Sequence, residues 1–308
     1  MTPGMNPLAA AAGLVADRLA GEPPAAAHPV AAFGRAMTRL EASLWRDSRI
    51  AGAAYAASGL ALGLSAGVAL GSGPAAAALA TAVAVAGRGL GEEARRVARP
   101  LAAGDLGAAR ALLPALCGRD PDVLDHKGIA RSVVESVAEN TVDAVVAPAC
   151  WAAVLGAPGA FAYRAVNTLD AMVGHRSLRY ARFGWASARL DDAANWVPAR
   201  LTALLVAAVR PRAAGEITGL LLHPPAHPSP NAGLAEAAFA AALGLRLGGD
   251  TVYAGRVDPR PPLGTGRPPE EADIDAAVRL SADVTAALAV ALAATGLASA
   301  GWRRRRTR

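Results

Sequence analysis

Three carboxylates, Glu135, Glu139 and Asp143, recur at i, i+4 and i+8 in the run Arg131-Ser132-Val133-Val134-Glu135-Ser136-Val137-Ala138-Glu139-Asn140-Thr141-Val142-Asp143. Helical spacing places them on one stripe, where like charges repel. Arg131, one turn before Glu135, offsets part of that charge; solvent, a cationic partner or a divalent ion must offset the rest. Magnesium suits such a stripe because it takes oxygen ligands, keeps waters and shares them with substrate phosphate. A solvated helix face opposite Val133, Val134, Val137 and Val142 accounts for the same spacing. A second polar face follows at Arg164, Asn167 and Asp170, with Gly174-His175-Arg176 after it. A guanidinium beside an amide and a carboxylate suits phosphate together with magnesium, or a structural ion-pair network. The densest cluster is Arg189-Leu190-Asp191-Asp192-Ala193-Ala194-Asn195-Trp196-Val197-Pro198-Ala199-Arg200. Asp191 and Asn195 share a helical face there, and helix capping would explain one acid but not the set. Downstream, Ser229 or Asn231 is placed to cap a helix beginning near Leu234, whose first amides could receive a phosphate. His28, in a polar turn with Asp17 and Glu22, is a possible base, although a lone histidine is more often structural.

The elements that must position these groups are apolar helices. Of 308 residues, 53% are hydrophobic and 18% charged, with a mean hydropathy of +0.29. A soluble domain carries roughly 25% charge, so an all-α, polytopic membrane protein is expected, folded as a single domain over residues 1–308. Abundant Ala with 4% aromatic residues favours closely packed helices, because small side chains let backbones approach. Polar groups in such a background are costly unless they bind one another or a ligand.

Ile50 to Leu70 is free of charge and, as a helix, would be about 31 Å long, a bilayer's hydrocarbon thickness. Gly71-Ser72-Gly73-Pro74 turns the chain, and Ala75 to Gly87 returns uncharged, a helical hairpin flanked by Arg35, Arg39, Arg46 and Arg49 before it and Arg88, Arg95, Arg96 and Arg99 after it. Positive flanks place both ends on the cytoplasmic side. A hairpin buried in a soluble bundle is the alternative. Val284 to Trp302 is a third uncharged stretch, ending in Arg303 to Arg306 and Arg308, again a cytoplasmic flank. With Arg88 to Asp283 on that same side, one final span would put the Arg tail outside, so the number of crossings stays open. Ala144 to Tyr163 and Trp196 to Val209 are interrupted by Pro148, Gly156-Ala157-Pro158-Gly159 and Pro198. Such segments are expected as re-entrant or core helices around a polar site. His223 to Pro230 and Asp258 to Glu271 read as loops, and no segment competes as a strand.

Several classes are disfavoured. The net charge of +6 and pI near 10.1 come from dispersed Arg residues and the terminal cluster, with no basic patch interleaved with aromatics, which argues against nucleic acid. Cys117 and Cys150 lie far apart and read as small buried hydrophobes rather than a disulfide or metal site. The first residues lack the basic start of a secretory signal.

Taken together, these motifs resemble the adenosylcobinamide-phosphate synthase family of cobalamin biosynthesis, CobD or CbiB. The resemblance runs through Asp17, Gly21-Glu22-Pro23, His28-Pro29-Val30, the Arg131 to Asn140 run, Asp143, Ala147-Pro148, Gly156 to Gly159, Tyr163 to Asp170, Gly174 to Arg176, Arg189 to Asp192 and Asn195 to Arg200. It continues through His227 to Gly233, Gly248-Gly249, Tyr253 and Gly255. Glu22, where Asp is more usual, and His175, where Tyr is common, depart from the pattern and are poor bets as indispensable groups. The resemblance implies a multi-pass inner-membrane enzyme, its active site facing the cytoplasm. It would join adenosylcobyric acid to aminopropanol or (R)-1-amino-2-propanol O-phosphate, forming the amide of the corrinoid f side chain with ATP and magnesium. No Gly-rich Walker loop is present to hold the nucleotide. On this reading Glu135, Glu139, Asp170, Asp191 and Asp192 act catalytically as magnesium ligands, and Arg164, Arg176 and Arg200 clamp phosphates. Arg131, Asn140, Asn167, Asn195, Ser229 and Asn231 complete the substrate site. Two other readings stay open: an intramembrane prenyltransferase using Asp191-Asp192-Ala193-Ala194-Asn195, which lacks a second Asp-rich motif, and a transporter whose acids and arginines line a path.

Overall fold

A computed structural model describes residues 5–22, 28–175, 177–253, 256–258 and 260–306. The chain forms helices α1 (Pro7–Ala20), α2 (Pro29–Leu44), α3 (Arg49–Leu70), α4 (Pro74–Ala84), α5 (Gly87–Ala102), α6 (Leu106–Leu112), α7 (His126–Thr141), α8 (Ala147–Leu155), α9 (Ala157–Leu169), α10 (Trp185–Val209), α11 (Ala214–Leu222), α12 (Ala232–Leu243) and α13 (Glu271–Arg306). The all-α expectation holds, with one amendment. Although no segment was expected as strand, residues 247–263 form short antiparallel pairs, β1 (Leu247–Gly248) with β4 (Pro262–Leu263) and β2 (Thr251–Tyr253) with β3 (Arg256–Asp258), and β4 lies inside the segment Asp258 to Glu271 read as loop. Glycines at positive φ, including Gly248 and Gly249 at 73° and 82°, make those tight reversals, a backbone property that hydrophobic alternation does not reveal.

Three helical stretches are long and apolar enough to cross a membrane: Arg49–Leu70, Pro74–Ala102 and Glu271–Ala300. The first matches the charge-free run Ile50 to Leu70, whereas Pro74–Ala102 continues past Gly87 into the arginines expected as a cytoplasmic flank, and Glu271–Ala300 begins before the charge-free run from Val284. On α3, Leu62, Leu64, Val68 and Leu70 are exposed, as expected of a surface that meets hydrocarbon rather than water. The chain is thus an all-α membrane protein by its helices.

Two compact units emerge, each assembled from separated segments. The first comprises Met1–Ala86, Asp143–Asn195 and Leu288–Arg308; the second, Gly87–Val142 and Trp196–Ala287. In the first, α3 and α9 pack through glycines. A Cβ on Gly59 would lie 2.7 Å from Leu169 Cδ1, and one on Gly63 2.7 Å from both Ala165 Cβ and the Phe161 carbonyl. Gly59, Gly63 and Gly67 are spaced at i, i+4 and i+8, so one face of α3 is bare backbone against α9. Ala10, Ala80, Ala84, Ala152, Ala157 and Ala160 fill an equally tight core among α1, α4, α8 and α9. Larger side chains, Met37, Tyr55, Leu169, Val173 and Phe183, pack where α2, α3 and α9 diverge.

Two prolines leave helical carbonyls without their usual donors, and the first unit supplies both. Pro148 has no N–H for the carbonyl of Ala144, which accepts instead from Ala86 N–H at 2.8 Å. Ala86 itself sits in the break between α4 and α5. Pro198 does the same to Ala194, whose carbonyl accepts from the indole N–H of Trp151 at 3.1 Å. α10 therefore runs on through Pro198 to Val209, longer than the proline suggested.

Candidate functional site in two polar clusters

The first unit holds a hydrogen-bonded network between helices. Two π-helical segments, Val142–Val146 and Asp170–Gly174, carry Asp143 and Asp170 at their starts. Such widened turns are frequent at functional sites, because they re-aim side chains that regular helix would stack. Asn167 on α9 donates through Nδ2 to Asp143 Oδ2 at 3.2 Å and to Asp191 Oδ1 at 3.3 Å. Asn195, one turn along α10, donates to Asp191 Oδ2 at 3.0 Å, and Tyr163 donates its hydroxyl to Asn195 Oδ1 at 2.8 Å. Arg164 donates to Asn167 Oδ1 at 3.4 Å, while its buried Nε has no hydrogen-bond partner among the described residues. The result is two carboxylates held by amides, with an arginine behind them.

The donors that hold Asp191 are neutral, and burial pushes its carboxyl up to about 6, with Asp192 adding in the same direction. Burial and the acids Asp143 and Asp191 also raise Tyr163 well above the usual phenol range, so it remains a donor at neutral pH. Asp170 lies against Gly174, where any Cβ would collide with the carboxylate. Asp192 pairs with Arg189 at 3.6 Å on an open helix face. Both Asp191 and Asp192 lie inside α10, so neither is a helix cap.

His28 caps α2 by accepting from Val30 N–H at 3.2 Å through Nδ1. Its Nε2 lies 3.4 Å from Glu22 without forming a hydrogen bond. Burial and the charge of Arg164 lower its pKa, so the imidazole is neutral and the contact is no ion pair. Its role in this fold is structural.

The second unit handles its acid differently. Glu135 is 2% exposed on α7 and forms a buried ion pair with Arg119, which also donates to Ser132 Oγ at 2.8 Å. The other Glu135 oxygen accepts from Gly248 N–H at 2.7 Å. Arg131, expected to balance Glu135, instead donates to the carbonyls of Gly248 at 2.7 Å and Asp250 at 3.1 Å. Arg119 takes that place because the loop before α7 folds back along it, which helical spacing does not encode. Glu139 faces solvent and Asn140 bonds back to Ser136, so Glu135, Glu139 and Asp143 do not share one environment. Arg200 stacks 4.5 Å from the Trp196 ring and donates to Asn231 Oδ1 at 2.9 Å. Ser229 Oγ accepts from the N–H groups of Asn231 and Ala232 at 3.3 and 3.2 Å, in the turn that leads into α12, while Asn231, at the cap position of that helix, makes no side-chain cap bond.

Of the residues singled out by sequence, the first unit thus gathers Arg164, Asn167, Asp191 and Asn195 around Asp143, with Asp170 and Asp192 at its edges. The second holds Glu135, Glu139, Arg131, Asn140, Arg200, Ser229 and Asn231. Arg176 lies outside the described residues. Among those described, no three His, Cys, Asp or Glu side chains are placed to hold a metal ion by themselves. The Asp143 and Asp191 pair does fit the smaller set of one or two carboxylates that magnesium takes when phosphate and water complete its shell. Cys117 and Cys150 are both free, and burial raises both thiols, Cys150 to about 12.

Two polar residues escaped the sequence reading. Arg119 lies outside the Arg131 to Arg200 run, and only the demand of a buried acid for a cation would have pointed to it. Glu236, within the apolar helix α12, is 2% exposed with Oε2 unpartnered; burial and the nearby acids Glu135 and Glu139 raise its pKa well above the carboxylate range.

Comparisons with known proteins bear on what these clusters serve. Residues 10–281 match the family described as CobD/Cbib protein. A protein of Mycobacterium tuberculosis (strain H37Rv) named cobalamin biosynthesis protein CobD is 49% identical over 288 residues, covering 90% of this chain and 92% of the relative. A protein of the same name from Chromobacterium violaceum is 43% identical over 281 residues, 87% of this chain and 89% of the relative. No solved structure matches the chain significantly.

Proposed function

Because this chain belongs to the CobD/CbiB family, and so has a role in cobalamin biosynthesis, we propose that it is the synthase that attaches aminopropanol, free or as (R)-1-amino-2-propanol O-phosphate, to the f side-chain carboxylate of adenosylcobyric acid. The observation that carries this reading is a family match that extends over nearly the whole chain and includes both polar clusters. The enzyme would sit in the inner membrane as a multi-pass protein, with the site toward the cytoplasm on the side of its Arg-rich flanks.

Amide formation from a carboxylate needs that carboxylate activated, and ATP would supply the activation through a phosphorylated acyl group. Asp143 and Asp191 are the residues that would hold magnesium, which would neutralise phosphate charge there. Asn167 and Asn195 fix the orientation of those two carboxylates, and Tyr163 fixes Asn195. Arg164, whose Nε has no hydrogen-bond partner among the described residues, would receive an anionic oxygen. Catalysis by positioning and charge neutralisation needs such preset groups.

The test is mass spectrometry of a reaction containing detergent-purified protein, ATP, magnesium, adenosylcobyric acid and either amine. The condensed amide is the expected product, and the amine that yields it is the donor. A folded preparation that condenses neither amine would remove the synthase reading and leave the prenyltransferase and transporter readings.

A further inference from the structure

In the second unit a cavity of about 280 Å³ opens beside the start of α7, lined by Asp125, Lys127, Arg131, Arg246, Gly248 and Gly249. Three cations face one carboxylate there, and that carboxylate already accepts from Gly128 N–H at 2.7 Å through Oδ1. Among the described residues, neither Lys127 nor Arg246 forms a side-chain hydrogen bond or ion pair, whereas Arg131 is anchored by the carbonyls of Gly248 and Asp250. Two exposed cations are therefore left uncompensated around a third that is rigidly held. Pro262, Pro268 and Pro269 complete the wall with surface that offers no N–H, so ligand recognition falls to the cations. The glycines matter as well. A Cβ on Gly249 would lie 3.1 Å from Arg131 Nη1, and Gly248 at positive φ leaves no room for one. The loop thus brings bare backbone against a guanidinium.

We propose that this cavity binds the phosphate of a phosphorylated small molecule, with Lys127, Arg131 and Arg246 as its counter-charges. Its volume lies below the range that engulfs a drug-sized ligand, so it takes a phosphate and the few atoms that bear it, not a corrinoid. The proposal rests on the synthase reading and sharpens it, because two reactants of that reaction carry phosphate: the nucleoside triphosphate and the phosphorylated amino alcohol.

Calorimetric titration of the full-length protein in detergent tests the site without turnover, using inorganic pyrophosphate, ATP and 1-amino-2-propanol O-phosphate as probes. The double variant Lys127→Gln/Arg246→Gln should weaken pyrophosphate binding roughly tenfold or more, since charge-assisted hydrogen bonds are lost. Its melting temperature should be unchanged, because both side chains are exposed. Arg39→Gln/Arg212→Gln, removing the same charge elsewhere, should bind as the wild type does. Where pyrophosphate binding is weakened, a parallel loss for ATP alone, or for the amino-alcohol phosphate alone, supports the site and assigns its source. Wild-type affinity in the Lys127/Arg246 variant, an equal loss in the control, or no saturable binding of any probe to the wild type overturns the proposal. Loss of binding in a protein that forms no amide would keep the site and discard the synthase reading.

Discussion

Glu135 and Asp191 are both carboxylates set into apolar helices, and the two units hold them by opposite means. Glu135 is matched by a full positive charge from Arg119 and a backbone N–H, so its charge is closed within the fold. Asp191 is held by the amides of Asn167 and Asn195, which fix its direction but leave its charge. A buried acid already neutralised has little left to offer a ligand. One that is oriented and still uncompensated attracts a cation or a proton. On the proposed synthase reading the contrast would give stability to the Glu135 pair and chemistry to the Asp191 network, and Glu236 adds a third case, a buried acid whose pKa burial and the neighbouring acids Glu135 and Glu139 raise.

The largest effect should come from breaking the closed pair. Arg119→Met strands Glu135 in the interior and should cost about 3–5 kcal/mol, seen as a large drop in melting temperature in detergent. A melt within a degree or two of wild type would mean that the pair is not structural. Asp191→Asn should do the reverse, abolishing amide formation while sparing the fold. Since its folded pKa, about 6, lies above the unfolded 3.8, the wild-type acid costs stability progressively as pH rises through that window and a constant amount above it. By linkage the cost is at most about 3 kcal/mol. The variant should therefore lack this part of the pH dependence, although its NH2 meets one of the two donor amides and lowers the melt by a similar amount at every pH. An Asp191→Asn melt that keeps the wild-type pH dependence between pH 5 and 8 would remove Asp191 as its source. Gly63→Leu should cost about 1–3 kcal/mol by forcing α9 from α3. It should reduce activity beyond that loss, because α9 carries Tyr163 and Asn167; a variant that melts lower but keeps full activity would separate the network from that packing. The smallest change, Trp151→Phe, leaves the Ala194 carbonyl without its donor and should cost roughly 1 kcal/mol, visible as a small shift in the melt.

Much of this was legible in the sequence. Charge-free runs between arginine flanks announced α3, the hairpin and the last helix, and the abundance of small residues announced close helix packing in general, though not which helices meet. Helical spacing put Arg164 with Asn167 and Asp191 with Asn195, but that the two pairs meet through Asn167 and Asp191 is a tertiary contact that spacing does not give. What stayed hidden depended on contacts distant in the chain. Arg119 reaches Glu135 across a loop, and Arg131 is drawn away by carbonyls more than a hundred residues later. The second helix of the hairpin ends at Ala84 and resumes at Gly87, a break with no proline to mark it. The division into two units was equally hidden, because each is stitched from segments far apart in sequence.

That unmarked break has a consequence for biogenesis. Ala86 N–H and the Ala144 carbonyl are each the leftover half of an interrupted helix, and each completes the other. Hydrocarbon offers no substitute for either half. The bond that completes Ala86 therefore closes only once a segment some sixty residues further along the chain is in place.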